Sequence, residues 1–141
     1  MIAKRKRLTA PQSKEGAEPM DSGKKVEIVE RYVSAYNARD IDTILSLYRE
    51  DATMEDPYGT PPVSGKEALA ALYQEGFDMG VVLALDGRPR CAGNAVAFPL
   101  LGTTEQGKLF IIDLFEFDAD GRIERMRAYW GPESVEGEME L

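Results

Sequence analysis

Residues 107–118 read GKLFIIDLFEFD, and this stretch decides how the remainder of the chain must be arranged. In an extended strand successive side chains point to opposite faces, so parity assigns each residue to a side. The odd positions are Leu109, Ile111, Asp113, Phe115 and Phe117, an apolar face with a carboxylate at its centre. The even positions, Lys108, Phe110, Ile112, Leu114, Glu116 and Asp118, are mixed and suit partial exposure or contact with a partner. Asp118-Ala119-Asp120-Gly121 is a turn signal, so a further strand at 122–130 is expected as an antiparallel neighbour.

Upstream, Val81, Leu83 and Leu85 alternate before a turn at Asp86-Gly87, and another extended stretch covers 88–100. The amino-terminal part has a different period. Asp21 or Ser22 can cap a helix whose apolar positions Val26, Val29, Val33 and Tyr36 follow helical spacing, with Tyr32 beside them. Asp40 can cap a second, in which Ile41, Ile44, Leu45 and Tyr48 recur and which is expected to end near Glu50. A short strand, 52–56, is closed by Pro57 and the irregular PYGTPP loop. Ser64-x-x-Glu67 reads as a capping box for a third helix, with Gly76 placed to end it. Helices first and strands after predict an α+β fold, with the helices packed on one face of a curved antiparallel sheet.

The chain has 141 residues, enough for one domain. Charge divides it. Residues 1–25 carry seven basic and three acidic groups, a net of +4, which leaves −12 on 26–141 within the total of −8. A basic extension is therefore expected over 1–20, a single domain over 21–132 and an acidic tail over 133–141. The extension reads as a disordered arm or a misassigned start upstream of Met20, or else as a functional basic arm. It lacks the apolar core of a secretory signal, and no apolar run approaches a membrane span, so a cytoplasmic protein is expected. A body this acidic repels phosphate backbones and makes nucleic acid a poor partner.

The absence of histidine is the most informative count. It removes Ser-His-Asp and Cys-His nucleophilic systems and the histidine metal hydrolases, and leaves acid–base work to carboxylates, tyrosines or lysines. Cys91 stands alone, no Cys or His cluster has metal-ligand spacing, and no glycine-rich phosphate loop is present. Neither a metal nor a cofactor is expected.

The parity test applied to the first strand sets Asp56 with Ala52 and Met54, opposite Thr53 and Glu55. A second carboxylate thus joins an apolar face. Burial favours the neutral form of such a group, so one of the pair can serve as base while the other stays protonated. The competing reading pairs them with Arg31, Arg90, Arg125 or Arg127. In the last strand Met126, Ala128 and Trp130 share one side, opposite Ile123, Arg125, Arg127 and Tyr129, and form either core or cavity wall. Tyr32, Tyr48 and Tyr73 lie on apolar helix faces, as packing or as a buried chain of hydroxyls.

Over residues 26–132, RYVSAYNARDIDTILSLYREDATMEDPYGTPPVSGKEALAALY and IDLFEFDADGRIERMRAYWG resemble the bacterial ketosteroid isomerases of the nuclear-transport-factor-two-like superfamily. The resemblance implies a cone-shaped curved sheet with three amino-terminal helices on its concave side, and a homodimer formed through the sheet's outer face. By position, Asp56 matches the general base, Tyr32 the oxyanion-hole tyrosine and Asp113 the acid beside it. Ketosteroid isomerase is itself a known example of a carboxylic acid held neutral so that it can donate a hydrogen bond. Tyr48 and Tyr73 match tyrosines that support the oxyanion hole, and Phe98, Met126 and Trp130 fall where the family lines its steroid pocket. The activity implied is a cofactor-free steroid Δ-isomerase acting on a small hydrophobic 3-oxo-Δ5-steroid. Other cofactor-free enzymes of the superfamily (hydratases, cyclases, epoxide hydrolases) and a non-catalytic binding module are the alternatives. The segment 94–113 looks slightly shorter than its family counterpart, and the basic extension has none.

Overall fold

The computed structural model describes residues 7–9 and 20–141; the basic extension expected over 1–20 otherwise lies outside the described residues. Helix α1 (Ser22–Asn37) starts at Asp21, whose carboxylate accepts the Lys24 backbone N–H at 2.9 Å. Val29, Tyr32, Ala35 and Tyr36 form its buried face. Helix α2 (Ile41–Ser46) is capped in the same way by Asp40, which accepts from the Thr43 N–H at 3.1 Å and the Thr43 hydroxyl at 2.6 Å.

Helix α2 stops a turn earlier than its apolar spacing predicts, because Tyr48 opens strand β1 (Tyr48–Glu55) instead. Pairing across the chain wins over local period here. The Ile123 N–H donates to the Leu47 carbonyl at 2.9 Å, and Tyr48 is aligned with Ile123. A two-residue strand β2 (Val63–Ser64), not expected from the sequence, pairs with β1 and leads into α3 (Lys66–Asp78). The expected capping box does not form. Gly65 occupies the cap at φ +92° without a side-chain bond, and the Ser64 hydroxyl turns to the Asp51 carbonyl at 3.4 Å.

The remaining strands are β3 (Val82–Leu85), β4 (Arg90–Ala92), β5 (Ala95–Thr103), β6 (Gly107–Phe117), β7 (Ile123–Tyr129) and β8 (Val135–Gly137). One sheet runs β2-β1-β7-β6-β5-β3, with β4 on β5 and β8 on β6. It is mixed rather than wholly antiparallel, since β1 and β7 run parallel. The long excursion through α3 and five strands between them supplies the crossover that a parallel pair requires. The segment 133–141, expected as a tail, follows on from a short helical turn, Pro132–Ser134, and contributes β8 to this sheet.

Parity holds along β6: Leu109, Asp113, Phe115 and Phe117 are buried, whereas Lys108, Phe110 and Ile112 are exposed. It fails once on β7, where Ile123, assigned to the outer side, is fully buried. The pairing register shifts between Glu116 and Phe117, and one extra residue in a ladder carries the next side chain to the other face. Beneath the helices Phe98, Phe115 and Phe117 pack edge-to-face, with centroids 4.9 Å apart for Phe98 and Phe115.

Gly76 does not end α3, which continues to Asp78. Its role is clearance. A Cβ at position 76 would lie 2.2 Å from the Tyr36 hydroxyl, so the bare glycine lets that phenol press against the helix. We therefore expect Gly76→Ala to cost about 1–3 kcal/mol in urea unfolding, as overpacking does. Adding Tyr36→Phe should recover most of that loss, because the ring carbon behind the oxygen is 3.4 Å away. Additive losses in the double variant would contradict the contact.

Candidate active site

The inward faces of β1, β7 and β6 converge on one cavity of about 420 Å³ between the sheet and helices α1 and α3. Met54 aligns with Met126 and Glu55 with Arg127, so Asp56, one residue past β1, falls beside Ala128. Asp113 aligns with Ala128 from the other side. Two strand spacings, about 10 Å, therefore separate the backbones of the two acids, and the small Ala128 side chain is the floor between them. The loop after β1 is held there by the Tyr58 N–H, which donates to the Ala128 carbonyl at 2.7 Å.

The cavity brings together Tyr32, Asp56, Tyr73, Asp113, Met126 and Trp130 from the residues singled out in the sequence. Tyr48 stands behind them, its hydroxyl 2.6 Å from that of Tyr73. Phe98 does not line the cavity. It is fully buried beneath it, with its ring centroid 6.2 Å from Tyr32, where it backs the phenol instead of touching a ligand.

The arginine reading of the acids fails on geometry. Arg127 pairs with Glu55 at 2.9 Å and Glu116 at 3.2 Å, and Arg125 with Glu116 at 3.4 Å, all on the outer face. Arg31 and Arg90 are exposed. Asp113 is 2% exposed, and among the described residues neither a cation nor a hydrogen bond acts on it. No buried side-chain oxygen or nitrogen is orphaned among the described residues, so the Asp113 carboxyl opens onto the cavity it lines. Asp56 is different, since the Trp130 indole N–H donates to its Oδ1 at 2.6 Å.

Comparison with known proteins places the chain in a family. The SnoaL-like domain matches residues 29–126. The chain is 38% identical over 108 residues to the steroid Delta-isomerase of Nocardioides simplex, spanning 74% of this chain and 87% of that protein. The chain belongs to the SnoaL-like family. It is also 33% identical over 115 residues to the epoxide hydrolase LasB of Streptomyces lasalocidi, across 74% of this chain and 40% of that protein. Among solved structures it superposes on the epoxide hydrolase/cyclase-like enzyme SalBIII, which acts in pyran ring formation in salinomycin. The TM-score is 0.77 and the identity 28%, over 83% of this chain and 98% of that one.

Within this SnoaL-like scaffold the two acids differ in electrostatics. Burial pushes the Asp113 carboxyl well above the usual carboxylate range, and the nearby Asp56 charge adds to it. Burial raises Asp56 as well, but the Trp130 bond opposes the rise, while Glu75 across the mouth adds to it. Tyr32 is raised well above a free phenol by burial and by Asp113, with Tyr73 as hydrogen-bonding neighbour pulling the other way. Tyr48 and Tyr73 are raised by burial too. Every hydroxyl in the group is thus a neutral donor at ordinary pH.

Sequence reasoning missed several parts of this SnoaL-like cavity. Tyr36, one turn after Tyr32 on the same helix face, is a wall residue whose phenol burial pushes up to about 12. Its i+4 spacing from Tyr32 was the available signal. Glu75 and the direct bond from Trp130 to Asp56 had none, because both depend on contacts between distant segments. A neutral Asp113 also has a thermodynamic signature. At pH 7 the unfolded carboxyl is ionised and the folded one protonated, so the native state holds the extra proton and stability falls as pH rises. From about pH 4 up to the raised folded value the slope is about 1.4 kcal/mol per pH unit. Urea titrations should find Asp113→Asn more stable than wild type at pH 7, with the gap closing toward pH 4. A gap independent of pH would mean that Asp113 is ionised in the fold.

Proposed function

We propose that the protein is a steroid Δ-isomerase that moves a C=C bond from Δ5 to Δ4 in 3-oxo-steroids by intramolecular proton transfer. The observation that carries this reading is the opposition of one hydrogen-bonded carboxylate, Asp56, to two neutral O–H donors, Tyr32 and Asp113, across an apolar floor. A ketone oxygen seated between Tyr32 and Asp113 acquires negative charge as a proton leaves the neighbouring carbon. Donors aimed at that oxygen strengthen as the charge grows, so they stabilise the transition state more than the ground state. In this reading Asp56 takes the C4 proton, the electrons move through a dienolate onto O3, and the same carboxyl returns the proton to C6. Asp56 ends as it began. Trp130 orients it through Oδ1 and leaves Oδ2 for the carbon acid. Met126, Ala128, Leu72 and Leu100 keep the flat substrate dry and against the base.

The likeness to epoxide-acting relatives favours a second reading in which Asp113 protonates an epoxide oxygen and Asp56 activates the attacking hydroxyl. Homodimer formation belongs to the proposal as well. Phe110, Ile112 and Tyr129 stay 37%, 43% and 39% exposed on the outer face of the sheet, where Ile112 pairs with Tyr129. The helices cover the opposite face, so among the described residues nothing shields this patch. Among the described residues no helix is long and apolar enough to cross a membrane.

Conversion of 5-androstene-3,17-dione to its conjugated enone, followed by absorbance, tests the isomerase reading directly. Asp56→Asn should lower kcat by about 10⁴-fold and Tyr32→Phe by about 10²-fold, since Asp113 still donates. Full turnover in Asp56→Asn, or opening of a model epoxide without any isomerisation, would overturn it. kcat/KM should fall on acidification at a pH above the ordinary carboxylate range, because the base must be ionised. Glu75→Gln should move that limb to lower pH by removing the charge that raises Asp56. Light scattering should give twice the chain mass, and Ile112→Lys should halve it; a wild-type monomer at high concentration would contradict the dimer.

A further inference from the structure

The last residues of the chain are an unexpected part of the cavity. Met139 and Leu141 line it together with Leu109, Ile111, Met79 and Val81. Met139 also lines a neighbouring hollow together with Gly80 and residues 104–106, so this segment crosses from the β5–β6 turn to the end of α3. The matched family domain ends at residue 126, before this wall begins.

Three features hold the segment in place. Val135 is aligned with Leu109 on β6, and Lys108 with Glu136. The Glu138 N–H donates to the Gln106 carbonyl at 3.2 Å. Two glycines permit the crossing: a Cβ on Gly107 would lie 2.6 Å from the Glu136 carbonyl oxygen, and one on Gly137, at φ +81°, 2.6 Å from that of Gln106. The chemistry alternates along the segment. Val135 and Met139 are half-buried, whereas Glu136, Glu138 and Glu140 are exposed, as in a strand with one face on an apolar surface; Leu141 lines the cavity at its open end and stays 57% exposed.

Position along β6 indicates what this wall would touch. Leu109 is four residues from Asp113, about 13 Å at the ordinary strand rise. A ligand whose oxygen sits at Tyr32 and Asp113 reaches Met139 and Leu141 only if it extends through most of that length. We infer that Met139 and Leu141 are specificity-determining residues, forming the far wall of the cavity and favouring long, flat, apolar ketones over short ones. The inference rests on Tyr32 and Asp113 as the anchor for the ketone oxygen, but not on isomerisation.

Equilibrium dialysis with two unreactive ketones tests it: the saturated four-ring 5α-androstan-3-one and the single-ring cyclohexanone. Met139→Ser/Leu141→Ser, and separately removal of residues 138–141, should weaken the long ketone about tenfold and leave the short one unchanged. Equal weakening of both ketones, no weakening of either, or wild-type protein that does not prefer the long ketone would overturn the inference. Failure of the isomerase reading looks different. The long ketone would then depend on the far wall as described, while 5-androstene-3,17-dione bound without turnover.

Discussion

A carboxyl group without a counter-ion, set in the middle of an apolar strand face, is the constraint on which the molecule is organised. Among the described residues Asp113 has no arginine partner and no hydrogen bond, and with almost no exposure burial favours its protonated form. That condition determines what can surround it. Phe98 is aligned with it on β5, Phe98 and Phe115 pack edge-on against Tyr32, and the arginines of β7 are turned outward onto Glu55 and Glu116. Reversing the register of β6 by one residue would expose Asp113 and bury Lys108, which is why the strand's apolar alternation and the site's chemistry are one specification.

The second acid depends on different means. Asp56 lies beyond the end of β1, and its place beside Ala128 comes from the parallel β1–β7 pair and from the Tyr58–Ala128 backbone bond. A hydrogen bond from Trp130 favours its ionised form, against the burial that raises both acids. Two chemically identical side chains are thereby given unequal proton affinities within one cavity, and acid–base work without histidine becomes possible. The tyrosines extend this arrangement backward into the core, from Tyr32 to Tyr73, which shares the cavity wall with it, and on to Tyr48 behind them.

Much of this was legible in the residues because strands and helices carry strict periods. The parity of 107–118 alone puts Asp113 inward, and the helical spacing of α1 puts Tyr32 beside its buried face. The misreadings share a cause. Tyr48 fits the helical period of α2, yet its pairing with Ile123 draws it into β1. Ser64 and Glu67 have capping-box spacing, yet β2 takes Ser64 into the sheet. Ile123 changes side at a register shift, and Phe98 drops beneath the cavity it was expected to line. The parallel strand pair, the Trp130–Asp56 bond and the closing segment with Met139 join residues far apart in the chain, and no local pattern encodes them.

The protonation of Asp113 at neutral pH can be observed without substrate. Infrared difference spectra of wild type against Asp113→Asn, at pH 7, should contain the C=O stretch of a protonated carboxylic acid that the variant lacks. A difference spectrum with only carboxylate bands at that pH would mean that Asp113 is ionised in the folded protein, and the account built on a neutral acid facing Asp56 would be wrong.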